Sequence, residues 1–170
     1  MRILTIALGL ALGAYVIVSG QANDPLLEKQ LKQVFPNAVS FDQRTGDPPH
    51  MKVYGPNKTI IGYAWWTIDL EPLERAYDGP IKILAGMDLN GMLTGIVVAK
   101  HNEPYGYFSI ELPAFAAQFK GKSIKDSFTL GRDVDEVSRA TISISSSARA
   151  IKKSSRRIAR AFLTPPSTSK

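Results

Sequence analysis

The chain contains no cysteine among its 170 residues. That excludes disulfides, Cys-ligated iron–sulfur clusters, c-type haem attachment, thiol catalysis and a lipoprotein anchor. Any redox chemistry must therefore borrow an organic cofactor. Histidine is nearly as scarce. His50 and His101 are the only two, without His-x-x-x-His spacing, which argues against a zinc site. There is no Gly-x-Ser-x-Gly, and His101 is the one plausible base, so a nucleophilic hydrolase lacks its parts. No Gly-x-Gly-x-x-Gly follows a strand-like run, and nothing supports a Rossmann half. Acidic residues are missing from one region: from Arg149 onward there are seven basic residues and no acidic one. The net charge of +6 is thus concentrated at the C-terminal end, and the preceding chain is roughly neutral. This argues against a nucleic-acid-binding domain as a whole and for one basic segment.

What is present is ordinary globular composition, 44% hydrophobic and 21% charged, enough for one domain with a single core. Met1-Arg2 precedes an uninterrupted apolar run from Ile3 to Val18, and Ser19-Gly20-Gln21-Ala22 supplies small residues suited to signal-peptidase cleavage. The run is short against the roughly 20 residues of a membrane span. Residues 1–22 are expected to be a signal peptide, or else an N-terminal membrane anchor. Either one exports the domain, so the expected location is periplasmic or otherwise extracytoplasmic.

Asn23-Asp24-Pro25 places a capping residue before a proline, and Leu26, Leu27, Leu31, Val34 and Phe35 follow at helical spacing until Pro36. Residues 40–49 read as a loop. Met51–Tyr54 and Thr59–Ile68 read as strands around Gly55-Pro56-Asn57-Lys58, with one of Trp65 and Trp66 expected in the core and one at a strand edge. Ile81–Met87 and Met92–Lys100 flank Asp88-Leu89-Asn90-Gly91, and Asn-Gly between apolar runs is a strong hairpin signal. A short helix is expected over Pro113–Phe119, and one more strand over Ile124–Leu130. From Ile142, the positions Ile144, Ala148, Ile151, Ile158 and Phe162 form an apolar stripe, with Arg149, Lys152, Lys153, Arg156, Arg157 and Arg160 on other faces. The expected fold is α+β: a single domain with a twisted antiparallel sheet built from two hairpins, flanked by helices, ending in a long basic helix. Residues 164–170 are expected to be a flexible tail.

The stretch Asp135-Glu136-Val137-Ser138-Arg139-Ala140-Thr141 leads straight into that helix. A hydroxyl there sits where backbone N–H groups lack partners and the helix dipole is positive, a position that attracts phosphate. Asp-x-x-Ser-x-Ala-Thr resembles the Asp-x-x-Ser/Thr-Gly-Ala-Thr/Ser signature of the FMN-binding domain family. Gly46-Asp47-Pro48-Pro49, Val53-Tyr54 with Ile61-Gly62-Tyr63, Tyr77-Asp78-Gly79-Pro80-Ile81 and His101-Asn102-Glu103-Pro104 extend the likeness, in order. Together they look like the exported flavin domain of NosR/NirI-type proteins. More distantly, they are similar to the flavin subunits of the Rnf complex and the sodium-pumping NADH:quinone reductase.

The resemblance implies that residues 23–163 are an FMN-binding domain. Thr141 would carry FMN through a phosphoester made by a flavin transferase, with Asp135, Ser138 and Ala140 in the motif the transferase reads. His101, Glu103 and Pro104 would lie against the isoalloxazine ring. Arg139 stands where the family usually has glycine. A glycine there allows φ > 0 and close backbone approach, whereas arginine brings a cation to the phosphate. No catalytic or metal-binding residue is expected. The implied role is a stand-alone electron carrier with a membrane or periplasmic redox partner, rather than an enzyme with its own substrate. Two other classes fit the same residues: a non-redox regulatory or ligand-binding module of the envelope, and a membrane-surface adaptor whose basic helix lies on anionic lipid.

Overall fold

A computed structural model describes residues 24–163. The expected leader over 1–22 and the tail over 164–170 lie outside the described residues. Helix α1 (Pro25–Val34) starts as its sequence dictates: the Asp24 carboxylate accepts from the Leu26 and Leu27 N–H groups at 3.0 and 3.3 Å, and Pro25 fills the first turn. Pro36 prevents its continuation.

Five strands follow in one antiparallel sheet whose spatial order equals chain order. They are β1 (Ser40–Phe41), β2 (Met51–Tyr54), β3 (Ile60–Trp66), β4 (Lys82–Asp88) and β5 (Leu93–Lys100). The two expected hairpins, β2–β3 and β4–β5, are joined by pairing of β3 with β4, in which Trp65 faces Ala85 and Trp66 faces Leu84. Gly91 takes φ +78° in the second turn, as the Asn-Gly signal requires.

Side chains alternate across the sheet and make two cores. Leu31 and Val34 of α1, with Phe35 just after it, cover Met51, Val53, Ala64, Trp66 and Leu84 on one face. Helix α1 comes so close that a Cβ on Gly86 would overlap Val34 and Phe35. The opposite face carries Trp65, Ile83, Ala85, Met87 and Ile96. There it meets the short α3 (Pro113–Ala117) and the 22-residue α4 (Thr141–Phe162). Ile144, Ile151 and Ile158 are fully buried along α4, each contributing about 1.5–3 kcal/mol.

The tryptophans divide between the two cores rather than between core and edge, because adjacent positions on a central strand face opposite, covered sides. Lys82 lies over the Trp66 ring at 4.1 Å.

Three local expectations are corrected. Residues 40–49 are not all loop: Ser40 and Phe41 pair with Tyr54 and Val53, and Thr45 bridges His50. Strand β3 ends at Trp66, where a one-turn helix α2 (Thr67–Leu70) begins, so Ile68 is helical. Ile124–Leu130 forms no strand. Phe128 has φ +52°, and its N–H and that of Thr129 turn to the Asp133 carboxylate instead of a neighbouring strand.

The basic side chains of α4 are largely taken up by the fold. Arg149 and Lys153 clasp Glu74, and Lys152 donates to the Ser127 carbonyl. Arg156 donates to the carbonyls of Ile124 and Asp126, and Arg157 to that of Leu70. Among the described residues no helix is long and apolar enough to cross a membrane.

Candidate functional site

The first turn of α4 is open. Its first helical hydrogen bond runs from the Ile144 N–H to the Ala140 carbonyl, so the N–H groups of Thr141, Ile142 and Ser143 have no helical acceptor. Ala140, the capping residue, contributes no side-chain bond, and no acidic residue lies in the first turn. At the exposed Thr141 the helix end therefore has no capping side chain or acidic residue of its own.

The chain reaches this point through a tight turn closed by the Ala140 N–H on the Val137 carbonyl at 3.0 Å. Its third residue, Arg139, has φ +70°. A turn with φ > 0 at that place is the type that prefers glycine. The structure therefore explains why a glycine belongs in the signature, and it also shows that arginine can fill the place. Holding a non-glycine residue there costs about 1–2 kcal/mol.

A loop between β5 and α3 supplies the opposite wall. Glu103 is only 6% exposed, and both its oxygens accept from the protein. Oε1 takes the Asp78 N–H at 2.8 Å, while Oε2 takes the Tyr77 N–H at 3.2 Å and the Ser143 hydroxyl. One carboxylate thus fastens the 76–79 turn, its own loop and the first turn of α4. His101 props the loop from behind. Its Nδ1 accepts the Glu103 N–H at 3.0 Å, so its proton sits on Nε2, which faces Glu111 at 3.1 Å. Gly106 makes room for it, since a Cβ there would strike the imidazole.

These three segments enclose a cleft of about 210 Å³, lined by Tyr77, Glu103, Pro104, Tyr105, Arg139, Ile142 and Ser143. The sequence-derived candidates Glu103, Pro104 and Arg139 meet here, and Thr141 lies in the chain between two lining residues. His101, Asp135, Ser138 and Ala140 do not line it. Asp135 and Ser138 are exposed on the approach, where the Asp135 N–H donates to Gln118 at 2.6 Å, and Ala140 is buried. Tyr77, Tyr105, Ile142 and Ser143 were not singled out from the sequence. Tyr77 and Tyr105 stood within or beside the quoted motifs, but their convergence depends on contacts from Tyr77 and Ser143 to one carboxylate.

Residues 76–156 match the model of the FMN-binding domain family. Just under half of the chain is thus similar to an FMN-binding domain. The matched stretch runs from the turn before β4 into α4 and includes every residue of the cleft. A 70-residue segment is 33% identical to one component of the Na(+)-translocating ferredoxin:NAD(+) oxidoreductase complex of Acetobacterium woodii. That match covers 41% of this chain and 32% of the relative, so the similarity spans about a third of the relative's length.

The cofactor is FMN, and the residues present suit its two chemically different ends. The open N–H groups of α4 and the Arg139 guanidinium suit a phosphate dianion. The tyrosines, Pro104 and Ile142 offer an apolar wall for a flat heterocycle.

Proposed function

We propose that this protein is an exported electron-transfer flavoprotein that holds FMN through a phosphoester on Thr141. The observation that supports this most is the start of α4, which has no capping side chain and no acid of its own in the first turn, with Thr141 exposed at its first position and Arg139 beside it. In the linkage, Thr141 Oγ1 bonds to the FMN phosphorus, the hydroxyl proton is lost, and the flavin transferase's activated donor gives up its leaving group. Asp135, Ser138, Arg139 and Ala140 are the motif presented to that transferase.

When bound, FMN supplies one- and two-electron redox chemistry. The chain's residues supply the setting. Arg139 and the free N–H groups neutralise the phosphate. Glu103 fixes the cleft shape by tying three segments together, with His101 behind it. Pro104 and Ile142 keep water from one wall.

The relative from Acetobacterium woodii belongs to a ferredoxin:NAD(+) oxidoreductase complex, which supports a membrane or periplasmic redox protein as the partner in turnover. An anionic membrane surface is the weaker partner, because Glu74 and loop carbonyls occupy most of the α4 cations.

The test is the intact mass of protein from its native envelope, with a visible spectrum after denaturation. A mass increase equal to an FMN phosphoester, with flavin retained by the unfolded chain and mapped to the Thr141 peptide, is the expected result. Free yellow flavin released from an unmodified chain would overturn the covalent link. The same mass reports whether residues before Asn23 have been removed.

A further inference from the structure

Tyr77 and Tyr105 come from separate loops and line one cleft, where Tyr105 tilts against Phe108 at 5.4 Å and both rings stay open to solvent. Tyr77 is 72% exposed and Tyr105 41% exposed. Ile142, 57% exposed, completes an open apolar rim with Pro104. Apolar groups left in water and bordered by polar ones mark a ligand or partner surface. The backbone under both rings is fixed, which suits a preformed site. The Tyr77 N–H is held by Glu103, and the Tyr105 carbonyl accepts the Ser109 hydroxyl at 2.7 Å. Tyr107 is different. It is exposed and touches Phe108, as Tyr105 does, but it does not line the cleft.

We propose that Tyr77 and Tyr105 are the contacts of the isoalloxazine ring and set its excited-state lifetime. This rests on the FMN reading of the cleft. A phenol against an excited flavin gives it one electron, and the same electron returns on recombination. No bond forms or breaks, and there is no net oxidation. Aromatic stacking holds the ring, and the phenol's ease of oxidation quenches it. Phenylalanine keeps the first property and lacks the second.

The test uses flavin-loaded protein with Tyr77→Phe, Tyr105→Phe, Tyr77→Leu, Tyr105→Leu and, as control, Tyr107→Leu. Flavin load is read by intact mass and by absorbance after denaturation, and quenching by fluorescence lifetime. The buried Trp65 and Trp66 contribute the same background throughout. The expected result is a lifetime lengthened several-fold in both Phe variants at full load, with Tyr107→Leu unchanged. Lower load in the Leu variants that the Phe variants restore also supports ring contact. An unchanged lifetime in all four variants at full load would overturn this inference and leave the FMN reading standing. So would equal loss of flavin from the Phe and Leu variants, because the phenol hydroxyl would then be the holding group. An unsubstituted protein without flavin would overturn the parent reading and this inference together.

Discussion

The Ser143 hydroxyl donates to the Glu103 carboxylate across 40 residues of sequence, and both groups are buried. This bond joins the first turn of α4 to the loop opposite it. Truncating a buried donor to a charged acceptor costs about 1.5–3 kcal/mol. Ser143→Ala is expected to lose that much stability in urea unfolding. Glu103→Ala should lose more, because it also releases the N–H groups of Tyr77 and Asp78. An unchanged midpoint for both variants would show that the carboxylate does not hold the cleft together.

Arg139 gives a second test, in which strain and charge act separately. Arg139→Gly relieves the φ +70° conformation but adds freedom to the unfolded chain, for a net gain of up to about 1 kcal/mol. Arg139→Val should lose stability, because a β-branched residue tolerates positive φ worst. Arg139→Lys should match the parent in stability while presenting a different cation. If Gly and Val gave the same melting temperature, the turn would not be strained at this residue.

The two hairpins and the starts of α1 and α4 were legible because their signals are local. Asn90-Gly91, Asp24-Pro25 and the stripe through Ile144, Ile151 and Ile158 each act within a few residues. The strand expected over 124–130 failed because an apolar run says nothing of a carboxylate farther on. Asp133 takes the N–H groups that a neighbouring strand would have used. Strand β1 was missed for the opposite reason: Phe41 is its only apolar residue, too little for a period. Of the cleft, Glu103, Pro104 and Arg139 were legible by motif. Tyr77, Tyr105, Ile142 and Ser143 were not, since each is an ordinary residue until the chain folds back on itself.

Stability in acid follows from two carboxylates. Burial alone would raise Glu74, but hydrogen bonds from Lys153 and Arg149 outweigh it and hold the group below its ordinary 4.5. Burial would likewise raise Asp133, but the N–H groups of Phe128 and Thr129 and the Ser127 hydroxyl hold it below its ordinary 3.8. With folded values depressed, the unfolded chain binds more protons, so stability rises with pH. The contribution is complete above the ordinary values and disappears as pH falls through the depressed ones. Glu74→Gln should therefore cost about 1 kcal/mol or less at neutral pH, the pair being partly solvated. The gap from the parent should close in acid, as read by urea unfolding at the two pH values. A gap that does not depend on pH would mean the ion pairs contribute nothing.

Thr141 separates attachment from folding. Its side chain is exposed at the first position of α4 and makes no capping bond, so removing the hydroxyl should change unfolding by less than about 0.5 kcal/mol. Thr141→Ala is therefore expected to melt like the unmodified parent, yet to carry no flavin on the denatured chain. Thr141→Ser keeps the hydroxyl and should keep the attachment. Any flavin left on native Thr141→Ala would be held by the helix N–H groups, Arg139 and the cleft walls alone, and should wash out as salt screens the phosphate. A full covalent load on Thr141→Ala would move the linkage to another hydroxyl, and the exposed Ser138, in the turn before α4, is the first place to map.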